Sequence, residues 1–161
     1  MTAERLPAPT RTTATDGDLD WLLDRLVDQV PGTRHAIVFS DDGLVISQSG
    51  RIERADAERL AAIATGQQSL ARGFGEVFDG GAARQVLVEL DRIWLFINSA
   101  GRGTHLAVVA DQEVDAEVLS MAMHTLVLQV GRHLGTEARF GAAPGEEGTD
   151  VGEPLGRRAP R

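Results

Sequence analysis

Residues 84–110 read RQVLVELDRIWLFINSAGRGTHLAVVA. Three apolar runs, VLV, IWLFI and LAVV, are separated by Asp91-Arg92 and by Ser99-Ala100-Gly101-Arg102-Gly103. Connectors this short cannot carry a crossover helix, so the strands predicted at 84–90, 92–98 and 104–110 form antiparallel hairpins. An antiparallel strand wetted on one face alternates apolar and polar residues. These runs barely alternate, and a near-continuous apolar strand is usually buried on both faces. Helices are therefore expected on both sides of the sheet.

The rest of the chain supplies them. Upstream, VFSDDGLVISQS (38–49) holds two more apolar runs, giving strands at His35–Ser40 and Leu44–Ser47. Asp41-Asp42-Gly43 suits the tight turn between them, because glycine accepts positive φ and aspartate satisfies local backbone donors. Leu19, Leu22, Leu23, Leu26, Val27 and Val30 recur at helical spacing behind a capping Asp16 or Asp18, and Pro31-Gly32 ends that helix. A second helix is predicted from Arg54 to Phe74, and a third over roughly 113–134 with Gly135 as its stop. The predicted fold is α/β, a three-layer sandwich with a five-stranded antiparallel sheet and helices on both faces, in the order α-β-β-α-β-β-β-α. It occupies residues 18–136. The leader (1–17) and the Gly/Pro/Glu-rich tail (137–161) hold too few apolar residues to offset ordering entropy and are expected to be disordered.

Composition narrows the function. The formal net charge of −8 argues against nucleic acid, which needs a surplus of basic residues on one surface. All sixteen basic residues are arginine, read as codon bias in a GC-rich genome. The absence of cysteine removes disulfides, thiolate metal sites and thiol nucleophiles, and fits a cytoplasmic location. VLSMAMHTLVLQVG (118–131) is too short for the ~20 residues that span a bilayer, so any membrane association is expected through partners at the periphery.

No catalytic motif assembles. There is no GxxxxGK[ST], and no lysine to fill one; GFGEVFDGG lacks the GxGxxG spacing, and GxSxG is missing. No cofactor is implied. His35 and His105 begin strands and could become neighbours if those strands pair, but two imidazoles do not complete a zinc site, and packing or solvent contact is the expected role. His124, flanked by apolar residues, reads as a core histidine. His133 falls in the last predicted helical turn, where it suits the negative end of the dipole. Arg72, Arg84 and Arg102 are either solvent-exposed charge or an arginine finger acting in trans.

LAAIATGQQSLA (60–71) carries no charge over twelve residues. Leu60, Ile63, Gln67, Leu70 and Phe74 form one stripe, expected against the sheet. The other faces hold Ala57, Ala61, Ala62, Thr65, Gly66, Gln68 and Ser69 where a surface helix would carry charges. Small uncharged residues let another backbone approach at low desolvation cost, which points to a protein interface. RQVLVEL, if at the sheet edge, would invite pairing with another chain.

LDWLLDRLVDQVPGTRHAIVFSDDGLVIS, the LAAIATGQQSLARGFGE helix and the closing strands and helix together resemble the roadblock/dynein light-chain family. They look closest to the roadblock proteins of actinobacterial conservon operons. The resemblance implies a longin-like sheet with one helix on one face and two on the other. It further implies a homodimer joined through the second helix and third strand, whose paired helices form a platform for a small Ras-like GTPase. Carried over by position, the interface comprises Ala57, Ala61, Ala64, Thr65, Gln68, Ala71 and Arg72, with Gln85, Leu87 and Glu89 on the strand. A non-catalytic GTPase regulator is one reading. A scaffold linking a sensor-kinase-like protein to other signalling proteins, without effect on GTP turnover, is the other. Small-molecule sensing has no polar cluster to support it.

Overall fold

The computed structural model describes residues 19–140. They form α1 (Asp20–Gln29), β1 (Thr33–Ser40), β2 (Val45–Gln48), α2 (Arg54–Val77), β3 (Gln85–Glu89), β4 (Ile93–Gly101), β5 (Thr104–Asp111) and α3 (Ala116–Phe140). All five strands join one antiparallel sheet in the order β2-β1-β5-β4-β3. The predicted element order and sheet class hold. Asp16 and Asp18 lie outside the described residues, as do the expected leader and the tail beyond Phe140; α1 itself starts after Leu19, which makes no side-chain cap. The third helix does not stop at Gly135 but continues to Phe140. A glycine costs a helix about 1 kcal/mol and does not by itself end one.

Register explains why the strands read as continuous apolar runs. Ile37, Ala107, Ile97 and Val86 lie in one row across four strands on one face. One pleat along, Ala36, Val108, Phe96 and Leu87 form a row on the opposite face. The first row builds a core with Phe39 and Ile52 beneath Ala57, Ala61 and Ala64 of α2. Of the second, Ala36, Val108 and Phe96 build a larger core with Leu22, Leu23 and Leu26 of α1 and Leu119, Met123, Leu126 and Val130 of α3. The layers are thus α2, the sheet, and α1 with α3. A strand between two cores has no face left for polar residues.

Candidate functional site

α2 meets the sheet with a different face from the one its periodicity suggests. Ala57, Ala61 and Ala64 are 0% exposed and lie on the row Ile37–Ala107–Ile97. Gln68, 6% exposed, is also turned inward, and its Nε2 has no hydrogen-bond partner. The bulky stripe points away: Ile63, Leu70, Phe74, Val77 and Phe78 are 56–76% exposed, while Leu60 and Gln67 are half-buried. Alanines let α2 settle close to the pleated surface, whereas Leu and Phe there would hold the two apart. The expectation that Ile63, Leu70 and Phe74 face the sheet is therefore corrected, whereas Leu60 does pack against the sheet-side core. Ala57, Ala61, Ala64 and Gln68 have no surface to offer a partner, Thr65 and Ala71 are half-buried, and Arg72 is exposed.

The outward side of α2 also carries two glycines that nothing within the fold requires. A Cβ at Gly66 or Gly73 would meet no atom within 4 Å. Gly75 differs: a Cβ there would lie 2.3 Å from the Gly81 carbonyl, because the loop folds back under the helix and the Gly80 N–H caps the Gly75 carbonyl at 2.8 Å. Asp79 and Gly81 take positive φ to make that reversal. The glycines of GFGEVFDGG thus include a helix terminus.

β3 is one edge of the sheet, and α2 touches it. Leu90 N–H donates to the Ile93 carbonyl and the Arg84 carbonyl accepts from Ser99, so the even-numbered residues of this strand face β4. The backbone groups of Gln85, Leu87 and Glu89 consequently point off the edge. Among the described residues no side chain caps their N–H groups, and their own side chains are exposed. An apolar helical stripe and an unpaired strand edge thus lie side by side.

The Asp41-Asp42-Gly43 turn is built as a turn, with Gly43 at φ 83° and its N–H on the Ser40 carbonyl at 2.8 Å. Asp42 accepts from the Ser40 hydroxyl. Asp41 does more than serve local backbone: its Oδ1 lies 2.5 Å from His105 Nε2, and Arg72 of α2 stands 3.7 Å away. This Asp–His pair is no catalytic dyad. Its remaining nitrogen, Nδ1, is buried without a partner, so it faces the interior rather than a substrate. Arg72 already has a carboxylate beside it; Arg84 and Arg102 are exposed, the latter at positive φ in a hairpin.

The other histidines depart from expectation. His35 pairs across from Val109 and His105 from Phe39, so the two imidazoles are not neighbours. His124 is exposed, since adjacent helical residues point to different faces and the core takes Met123 and Leu126 instead. His133 sits well inside the longer α3. His35 lines a cleft of about 390 Å³ with Arg51, Asp56, Arg59, Leu60, Ile63 and Val109. Burial lowers its pKa, and the Arg34 and Arg51 charges add to that against Asp56. Another cleft, of about 630 Å³ at the β3–β4 hairpin, is lined by Arg34, Glu89, Leu90, Asp91, Arg92 and Ile93, with no nucleophile. Among the described residues no group of three His, Asp or Glu is placed to hold a metal, and no helix is long and apolar enough to cross a membrane.

The family profile of the Roadblock/LC7 domain matches residues 19–110, spanning α1 through β5. The chain belongs to the Roadblock/LC7 family. Two solved roadblock domains from Streptomyces avermitilis resemble it. One is 48% identical with a TM-score of 0.71, covering 73% of this chain and 98% of that one. The other is 42% identical with a TM-score of 0.59, covering 70% and 97%. Myxococcus xanthus MglB shares the fold at 15% identity and a TM-score of 0.68, over 74% of this chain and 97% of its own. No functionally curated protein matches. Sequence reasoning singled out the second helix and third strand but missed Ile63, Leu70, Phe74, Val77 and Phe78 as outward residues. Their exposure was hidden because periodicity locates an apolar stripe without saying which neighbour covers it.

Proposed function

We propose that this roadblock domain is a non-catalytic homodimeric regulator of a small Ras-like GTPase. One observation carries the self-association: a row of large apolar side chains on α2 lies exposed beside the unpaired edge of β3. Leaving each such side chain in water forgoes about 1.5–3 kcal/mol, and a bare edge strand solicits pairing. A second copy offers both complements through one two-fold axis. Gln85, Leu87 and Glu89 would supply the backbone ladder. Leu70 and Phe74 would supply the apolar contact, with Thr65 and Ala71 at its margin. The GTPase reading rests on family membership together with the small-residue strip of exposed Ala62, Gly66 and Ser69 and half-buried Gly73, which paired α2 helices would present outward. Arg72, at the flank of that strip, would meet the partner as a charge already oriented by Asp41.

Phe74→Arg tests the first half: sedimentation should show the variant as a folded monomer, and an unchanged oligomer would refute it. For the second half, affinity is measured for the GDP- and GTP-loaded forms of a small Ras-like GTPase, together with its hydrolysis rate. Regulation requires a difference between the two states. Equal affinities with an unaltered rate would leave only a scaffold.

A further inference from the structure

We infer that α1 closes the second edge of the sheet with a ladder of aspartates, so that the chain accepts an added strand at β3 alone. β2 is that second edge. Ser49 N–H donates inward to the Ala36 carbonyl, so by alternation the N–H groups of Gln48 and Gly50 point outward. Neither is left bare. Gln48 N–H donates to Asp20 Oδ1 at 3.1 Å, and Gly50 N–H to Asp24 Oδ1 at 2.7 Å. The Ser47 hydroxyl also donates to Asp20, and Asp28 holds Arg51 at 2.7 Å. Asp20, Asp24 and Asp28 recur every fourth residue, so three successive turns of α1 present a carboxylate to the same side. Leu22, Leu23, Leu26 and Val27, buried in the core, fix the helix at the height where those carboxylates reach the strand.

The two edges are thus chemically unlike. At β3 the outward N–H groups meet no side chain among the described residues, whereas those of Gln48 at the end of β2 and of Gly50 just past it are taken by carboxylates. A side-chain oxygen that accepts these N–H groups leaves an incoming strand no free donor to pair with. The consequence for assembly rests on the proposed pairing through β3. A two-fold joint there leaves a β2 edge at each end of the combined sheet, and bare ends would let dimers add to dimers without limit. Capped ends stop growth at two copies.

The experiment uses the full chain, with amide exchange at Gln48 and Gly50 and sedimentation velocity over a concentration series. In the wild type both amides should be protected relative to exposed loops; loop-like exchange would overturn the ladder without any variant having to fold. In Asp20→Ala/Asp24→Ala the two amides should exchange about tenfold faster or more, and species larger than the wild-type oligomer should appear with concentration. Asp20→Asn/Asp24→Asn keeps an acceptor oxygen at each position and should retain the wild-type size. A folded alanine variant that sediments like wild type refutes the inference, as does an asparagine variant that grows like the alanine one. A monomeric wild type would refute the β3 pairing instead; the ladder then predicts that the alanine variant begins to associate.

Discussion

Gly66→Ala separates what α2 needs in order to fold from what it needs in order to bind. Gly66 sits near the middle of a helix spanning Arg54–Val77, where fraying does not soften the effect of a substitution. Its φ is not in the left-handed region, and an added Cβ would meet nothing within 4 Å. No steric term opposes the change, so the intrinsic preference of a helix interior for alanine over glycine should appear nearly whole, about 0.5–1 kcal/mol of added stability. For a domain of this size that corresponds to a Tm increase of roughly 2–6 °C. Gly73 is equally open and lies two turns along the same side, so the pair should add to about 1–2 kcal/mol. The assay is urea unfolding at matched protomer concentration, since self-association adds to apparent stability. Binding to the GTPase should move the opposite way, because a methyl group now stands where a partner backbone is proposed to approach. If Gly66→Ala fails to stabilise the fold, the surroundings of the helix have been misread. If it stabilises the fold and leaves binding untouched, the outward strip of α2 is not the docking platform.

Three further outcomes follow from other parts of the structure. Gly75→Ala should destabilise by about 1–3 kcal/mol through the clash with the Gly81 carbonyl, so substituting neighbouring glycines of one helix changes urea midpoints in opposite directions. Amide exchange at Gln85, Leu87 and Glu89 should slow as protein concentration rises, while Val86 and Val88, which already face β4, change little; uniform behaviour along β3 would count against edge pairing. Because the folded pKa of His35 lies below its ordinary 6.5, the unfolded chain binds the proton more readily. Stability should therefore fall as pH drops through 6.5 toward the folded pKa, and His35→Gln should flatten that part of the pH profile.

Much of the architecture was written in local pattern. Apolar runs without alternation, such as IWLFI, told of cover on both faces, and their short connectors told of hairpins. Strand order was less accessible, because β1 pairs with β5 across most of the domain, and the Asp41–His105 contact joins residues 64 apart. For the candidate site, the sequence pointed to two elements but did not say which of their residues face outward. α2 offers two uncharged faces, one of alanines and one of Leu, Ile and Phe, and hydrophobicity alone assigns the larger residues to the core. The spacing between helix and sheet decides otherwise, and spacing is a property of the packed layers. The same limit misplaced His124, judged by its sequence neighbours rather than by its position on the helix.

The two uncharged faces of α2 explain each other. A helix at the surface of a finished domain needs one apolar stripe and returns the rest to water. α2 spends its small residues on its own sheet and still shows large ones on the other side, the pattern of a helix that belongs to an interior layer. The edge of β3 beside it is also unpaired among the described residues, whereas at the far edge the Gln48 and Gly50 N–H groups are taken by Asp20 and Asp24. A two-fold partner, as proposed, would have to meet β3 and α2 together. A contact through β3 alone would leave Leu70 and Phe74 in water. A contact through the stripe alone would leave the ladder groups of Gln85, Leu87 and Glu89 to whatever strand arrived next. Loss of β3 amide protection in the Phe74→Arg variant is therefore the expected sign that the two surfaces act as one, and continued protection would show that they do not.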